Sequence, residues 1–376
     1  MKKVAILTTG HPPKDERIFH KIAGSLDKNS FKVTIICSTE DIDAKLEGIK
    51  CIGFDQKINS LNPISKIKRL INYLTQSEAE IIHACEPMTV LIGYVFRVTN
   101  RNNRKVRIFY DVTEWYPENI VKNSPLFFKP LKFLFGHILN FIVSNLCDAI
   151  ILGENYKKQR YDLYAPKINK YLIGYYPILD YYKASTQAFD GTEIVFGYAG
   201  VISVSRGLKI MADALLQLKR QNPNMRIKFI LAGRFEDERE KSILNELEVN
   251  RINIQYCPWT DYTEFSKHLE PTHICFDIRP ANGIYERSLP IKIFDYMALG
   301  KCIVASNYKP ISDTFADADC GILVNPLNVN IIVFSIESLI TNPEKIVELG
   351  RNGRRAVEEF FNWGTCEAEL LRAYNS

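Results

Sequence analysis

Short apolar runs rich in β-branched residues recur along the chain, each followed by a stretch in which apolar residues return at helical spacing. In the first half the runs fall at 4–7, 33–36, 81–84, 108–111 and 149–152. The clearest intervening segment spans 15–26, where Ile18, Ile22 and Leu26 share one side and Lys14, Glu16, Arg17 and Lys21 lie elsewhere. A strand that is apolar throughout is buried on both faces, and amphipathic helices between such strands are what covers them in a parallel sheet. After the aromatic, proline-containing stretch 175–189 the pattern begins again, with strand runs at 194–198, 227–232, 252–256, 274–278, 302–305 and 322–324. Each half opens alike, with a strand, a glycine-containing turn and a helix: VAILTTGHPPKDERIF in the first, VFGYAGVISVSRGLKIM in the second. The expected fold is α/β, with two doubly wound Rossmann-like domains facing each other across a cleft. Their expected bounds are 1–178 and 192–358, joined by a linker at 179–191 and followed by a closing helix at 359–376.

Composition supports two cores and removes several classes of function. The 376 residues are 46% hydrophobic, enough for two α/β domains. The net charge of +5 is spread along the chain without a basic block or stripe, so no nucleic-acid partner is expected. The nine cysteines are odd in number, scattered and free of any CxxC pair. Zinc and a disulfide framework are therefore not expected, and a reducing cytoplasm fits. The opening MKKVAILTTGHPP has two lysines before a short apolar run and reads as a first strand, not a signal peptide. No run of about 18 uncharged apolar residues occurs, so no spanning helix is expected. Residues 125–146, PLFFKPLKFLFGHILNFIVSNL, carry Phe128, Leu131, Phe135, Leu139 and Ile142 at helical spacing with Lys129, Lys132, His137 and Asn140 interspersed. Too polar to span, this segment reads either as a helix of the first domain's core or as a basic amphipathic helix in the membrane interface.

The most specific chemistry lies in 285–305, YERSLPIKIFDYMALGKCIVA, where a polar loop runs into a helix that starts at Leu289 or Pro290 and ends before Gly300. Lys292 and Asp295 are three apart and share a helix face. A lysine near a helix N-terminus suits a phosphate, and a short carboxylate one turn on suits sugar hydroxyls such as those of a ribose. The same stretch also reads as an amphipathic helix, with Ile291, Phe294 and Met297 buried and its charges solvated.

Taken in order, the Gly10–His11 turn near Asp15 and Arg17, His83 after a strand, Gly200, Arg206–Gly207, Gly233, then Glu286 and LPIKIFDYMALGKCIVAS resemble family 4 glycosyltransferases of the GT-B fold, of the bacterial surface-polysaccharide type. The resemblance covers nearly the whole chain, is most specific over 289–306, and is supported by GRNGRRAVEEFFNW at 350–363. It implies that the second domain binds a nucleoside diphosphate sugar and the first receives a saccharide or lipid-linked saccharide acceptor. It also implies transfer with retention and no obligatory metal or other cofactor. The implied donor-binding residues are Gly10, Gly200, Arg206, Gly207, Gly233, Lys292 and Asp295, with Arg206 and Lys292 on the diphosphate and Asp295 on the ribose. The implied catalytic residues are Glu286, His83 and Glu114.

Several of these positions keep a structural reading beside the functional one. Gly10 serves equally as a tight βα turn, Asp15 as a helix-start residue, His83 as a satisfied core histidine and Glu114 as half of an ion pair. Three departures from the family pattern stand out. Val201 takes the place where an arginine commonly follows the glycine, Thr113 replaces a usual histidine, and Glu286 and Asp295 are spaced one residue wider than the family's pair of glutamates. Arg234, Arg279 and Arg287 are candidates for the missing second cation. The departures leave room for a catalytically silent sugar-nucleotide or glycan-binding subunit, and the fold for a nucleotide-sugar epimerase or a glycan phosphorylase. The expected location is the cytoplasm, at the inner-membrane surface if 125–146 binds lipid.

Overall fold

The computed structural model describes residues 1–56, 62–99, 106–121 and 124–376, and divides into two compact units, Met1–Tyr175 with Cys366–Ser376, and Tyr176–Thr365. The first unit is built on an eight-stranded sheet. Its strands are β1 (Lys3–Thr8), β2 (Lys32–Cys37), β3 (Asp43–Leu46), β4 (Ile49–Gly53), β5 (Ile81–Ala84), β6 (Arg107–Val112), β7 (Ala149–Leu152) and β8 (Asn169–Leu172), in the order β3-β4-β2-β1-β5-β6-β7-β8. All neighbours pair in parallel except β3 with β4. Each strand run expected in this half is present. Three strands are additional: β3 and β8 escape the hydrophobic pattern because they are polar and largely exposed, as edge strands tend to be, and β4, though mostly buried, because Lys50 and Gly53 break up its short apolar run. Because β1 lies between β2 and β5, the chain order reverses at its carboxyl end, where sheets of this kind hold ligands.

The helix expected over 15–26 forms in two pieces, a π-helix Glu16–Ala23 and an α-helix Gly24–Lys28. Asp15 caps the first piece, its side chain accepting from the amides of Arg17 and Ile18 at 2.9 and 3.0 Å. The wider i→i+5 turn changes which side chains face the sheet. Arg17 and Lys21, expected on the polar side, are instead buried, Arg17 on Asp111 and Lys21 on Glu16.

The segment 125–146 departs furthest from expectation. It forms a short turn Leu126–Phe128 and the α-helix Lys129–Leu146, and the core reading fails. Of the helix residues only Gly136, Asn140, Val143 and Ser144 are buried, whereas Leu131, Leu134, Phe135, Ile138, Phe141 and Ile142 are exposed. Its polarity is inverted, because the small and polar residues pack inward, where Tyr110 and Tyr161 donate to Asn140 Oδ1 at 3.1 and 3.3 Å. The judgement that it is too polar to span is also corrected. Leu126–Leu146 is 21 residues with mean hydropathy 1.4, long and apolar enough by length and composition to cross a bilayer, since its charged residues are only Lys129 and Lys132.

The second unit holds a six-stranded parallel sheet of β9 (Glu193–Ile202), β10 (Arg226–Phe235), β11 (Ile252–Pro258), β12 (Ile274–Asp277), β13 (Cys302–Ser306) and β14 (Gly321–Val324), in the order β11-β10-β9-β12-β13-β14. Every strand run expected here is found. One face is covered by the helices Leu208–Gln221 and Val329–Ile340, the other by Ile291–Ala298 and Lys309–Ala318. The aromatic stretch before β9 is packed into the unit, with Tyr182 in one core and Phe189 in the other. The closing helix Trp363–Asn375 carries its last residues back to the first unit, where Tyr374 is wholly buried. All nine cysteines are buried free thiols.

Candidate functional site

In the second unit β9 lies between β10 and β12, so the carboxyl ends of these three strands mark its reversal of strand order. Backbone meets backbone there. Gly233 pairs in register with Gly200, and a Cβ on Gly233 would lie 1.8 Å from the Gly200 carbonyl oxygen. Gly207, with φ of 97°, opens the helix Leu208–Gln221, and a Cβ on it would lie 1.8 Å from the Ile278 carbonyl oxygen. Gly207→Ala combines a left-handed backbone with that clash and is expected to cost about 3 kcal/mol, read as a lowered thermal midpoint. These glycines bring the loop after β9 close to the end of β12.

Around that junction the chain gathers positive charge. Lys292 stands in the first turn of the helix Ile291–Ala298, which has Pro290 as its N-cap and so starts one residue after the later of the two expected positions. Its Nζ lies 3.9 Å from the centre of the Tyr198 ring, 3.7 Å from Asp277 Oδ1, and 3.5 Å from where a Cβ on Gly200 would sit. Arg279, two residues past β12, places its Nε 3.2 Å from Asp277 Oδ2. The guanidinium groups of Arg206 and Arg279 both face the Tyr285 ring, at 5.6 and 4.9 Å. Two cations thus share the wholly buried carboxylate of Asp277 and a third stands near. Burial pushes the Lys292 ammonium down to about 7; Asp277 opposes the shift, while Arg206 and Arg279 add to it.

Asp295 lies on the same helix, 5% exposed, its Oδ1 accepting from the Tyr182 hydroxyl at 2.6 Å. Glu286 is exposed in the loop before the helix, where its charge reaches Tyr308. The second unit therefore brings Gly200, Arg206, Gly207, Gly233 and Lys292 to one sheet end, with Asp295 behind Lys292 and Glu286 at the surface. Asp277 went unnoticed in the sequence because it is the last residue of an apolar strand run. The signal available was the charged pair in FDIR immediately after that run.

The remaining expected residues lie in the first unit, at the ends of β1, β5 and β6. His83 is wholly buried. Its Nδ1 is paired with the Tyr374 hydroxyl at 2.7 Å, and its Nε2 faces Asp111 Oδ2 at 3.3 Å. Asp111 in turn takes both Nε and Nη2 of Arg17, at 2.7 and 2.9 Å. The amide of Gly10 is bound within the chain, donating to Glu86 Oε1 at 3.1 Å, and the amide of Thr9 donates to Glu86 Oε2 at 3.1 Å. Glu86, which sequence reasoning passed over, is thus what shapes the turn after β1. His11 sits between Asp15 at 3.3 Å and Glu86 at 3.9 Å. Burial works against its protonation, but Asp15, Glu86 and Glu114 more than offset this and raise it to about 8. Glu114 is exposed.

Comparison with known proteins accords with this geometry. Residues 183–356, all within the second unit, match the family model described as glycosyl transferases group 1. A stretch of 94 residues is 33% identical to an MMP alpha-(1->4)-mannosyltransferase of Mycolicibacterium hassiacum, covering 24% of this chain and 22% of that protein. The chain thus spans less than a quarter of that relative's length. Sucrose-phosphate synthase from Thermosynechococcus elongatus superposes with a TM-score of 0.75 at 14% identity, over 100% of this chain and 98% of that one. Anabaena HepE in complex with UDP and glucose superposes with a TM-score of 0.69 at 14% identity over 100% of both chains, and it has also been solved with UDP-glucose. The two parallel-sheet Rossmann-like units have the GT-B fold of these glycosyltransferases.

Proposed function

We propose that this protein is a retaining glycosyltransferase that moves a sugar from a nucleoside diphosphate sugar to a saccharide or lipid-linked saccharide acceptor at a membrane surface. The observation that carries the reading is the cation cluster at the ends of β9 and β12, within the segment that matches the glycosyl transferase family. Breaking the bond between the anomeric carbon and phosphate puts negative charge on the departing diphosphate. Fixed cations in a water-poor site stabilise that charge most where it grows. Lys292 and Arg206 supply them, and no metal is invoked. Asp295, oriented by Tyr182, serves the ribose hydroxyls, and Glu286 the donor sugar. On the acceptor side Glu114, exposed at the end of β6, is the carboxylate placed to meet a hydroxyl. Retention is assigned by likeness to family 4 enzymes, through a front-face reaction in which the leaving phosphate accepts the acceptor's proton.

A thermal-shift panel of UDP-, GDP-, ADP- and dTDP-sugars tests the donor reading. A donor at one hundred times its Kd stabilises the protein by about 2.7 kcal/mol, and no shift with any of them overturns the reading. Turnover of the labelled donor then separates an enzyme from a silent binding subunit.

The membrane surface enters through the inverted helix. A row of exposed Leu, Phe and Ile side chains from Leu126 to Ile142, with Phe127 88% exposed, is a larger apolar face than a soluble surface usually keeps. The flanking Lys129 and Lys132 suit anionic headgroups, with the apolar face buried in the acyl boundary. Joint replacement of Phe127 and Phe128 by serine and Lys132 by glutamine is expected to release the protein from anionic liposomes in co-sedimentation while leaving its thermal midpoint unchanged. Unaltered binding would refute the membrane face. A cytoplasmic location at the inner leaflet follows from the same reading.

A further inference from the structure

We propose that Arg279 is the second diphosphate-binding cation of the donor site, doing from the end of β12 the work of the guanidinium that Val201 lacks. The inference rests on the donor reading above and names a residue which that reading does not need.

The three arginines that could fill the gap differ in placement. Arg234 and Arg287 are exposed, whereas Arg279 is 3% exposed. Its main chain is held from both sides, the amide donating to Ser306 Oγ at 2.8 Å and the carbonyl accepting from Ser306 Oγ and the Tyr308 hydroxyl, each at 2.9 Å. A side chain on so fixed a stem is pre-organised. Yet the guanidinium at its end is not saturated. Nε and Nη2 are buried without a hydrogen-bond partner, and so are both oxygens of Asp277, although Nε stands 3.2 Å from Oδ2.

A merely structural ion pair between these two groups would be expected to close into the bidentate geometry that guanidinium and carboxylate favour. Arg17 and Asp111 do so in the other unit. Here the pair stays open, and Asp277 is shared with Lys292 while Arg206 faces the same Tyr285 ring. Buried ions are tolerated when charge and hydrogen bonds are both satisfied. This cluster sets three cations against one carboxylate and has unused donors, a deficit a diphosphate fills with its charge and its oxygens. The Arg279 fork suits two phosphate oxygens at once.

The test is titration calorimetry of the full-length protein with UDP, with inorganic pyrophosphate as a base-free probe, and with uridine as a phosphate-free one. Arg279→Gln is expected to weaken UDP and pyrophosphate by about 10- to 150-fold, the range of one charged hydrogen-bonding partner, and to leave uridine unchanged. Arg279→Lys should retain most of the affinity, and Arg234→Gln and Arg287→Gln all of it. Restoring the family's pattern with Val201→Arg in the Arg279→Gln background should recover binding. If Arg279→Gln unfolds, Asp277→Asn/Arg279→Gln removes the stranded carboxylate and carries the same expectation. Wild-type affinity for UDP in either folded variant overturns the assignment of Arg279 alone. A wild-type protein that binds none of UDP, GDP, ADP, dTDP and pyrophosphate overturns the donor reading with it.

Discussion

Lys292→Met is expected to weaken binding of a UDP-sugar by about 100-fold at pH 6.5, the loss of a desolvated ion pair, and to remove the pH dependence of what remains. In the free protein, burial brings the Lys292 ammonium down to about 7 against the pull of Asp277, with Arg206 and Arg279 adding to the fall. A diphosphate prefers the ammonium form and therefore raises it again. The wild-type affinity should be flat below pH 7 and fall above it by up to about tenfold per pH unit, with one proton taken up on binding. A sugar nucleotide is the proper ligand, because its diphosphate diester does not titrate in this range. Calorimetry in buffers of different ionisation enthalpy at pH 8 counts the proton directly. The sign for the ligand-free protein is opposite. Between about 7 and the unfolded value of 10.5 the unfolded chain holds the extra proton, so stability gains as pH rises through that window. The methionine variant should lose this gain and should melt no lower than wild type at pH 6.5. A variant that binds the donor as wild type does would remove Lys292 from the site.

That lysine was legible in the sequence because local rules decide its position. A proline at the helix start, a glycine after its end and a lysine and an acid three apart place Lys292 without knowledge of the rest of the chain. The strand runs were legible for the same reason, since a buried parallel strand is apolar at every position. The partners of those residues were not. Tyr198 and Gly200 meet Lys292 and Asp277 only because β9 is parallel to β12 and next to it in the sheet, and pairing order is a property of the whole sheet. Arg17 shows a second kind of loss. A helical wheel of 3.6 residues places it outside, and the π-helical turn of Glu16–Ala23 carries it onto Asp111. The helix Lys129–Leu146 shows a third. Its apolar spacing was visible, but which face lies inward depends on the hydrogen bonds that Asn140 makes to Tyr110 and Tyr161. Sequence periodicity alone could not tell the core side from the outer one.

Arg17→Met is expected to cost about 3–5 kcal/mol of stability, because it strands a buried carboxylate. Asp111 is wholly buried, and burial opposes its charge, yet Arg17 and His83 hold it well below the usual carboxylate range. Such a group contributes stability that is complete above the unfolded carboxylate value of about 4 and fades as pH falls below it. The wild type should therefore lose stability on acidification, and Asp111→Asn, destabilised throughout, should lose less. The same network decides what His83 does. The Asp111 carboxylate can only accept, so the Nε2 that faces it carries a proton, while Nδ1 is taken up by the Tyr374 hydroxyl. A ring so engaged joins the closing helix to the sheet of its own unit and has no nitrogen left for a substrate. Tyr374→Phe is expected to lower stability by about 1 kcal/mol, and His83→Asn by more, while turnover per folded molecule stays within about threefold of wild type on the ordinary scale of remote substitutions. A histidine that touched the reacting atoms would behave otherwise: removing a general base costs about 100-fold or more in kcat, with the thermal midpoint retained. Measuring kcat and the thermal midpoint on one preparation of His83→Asn separates the two roles.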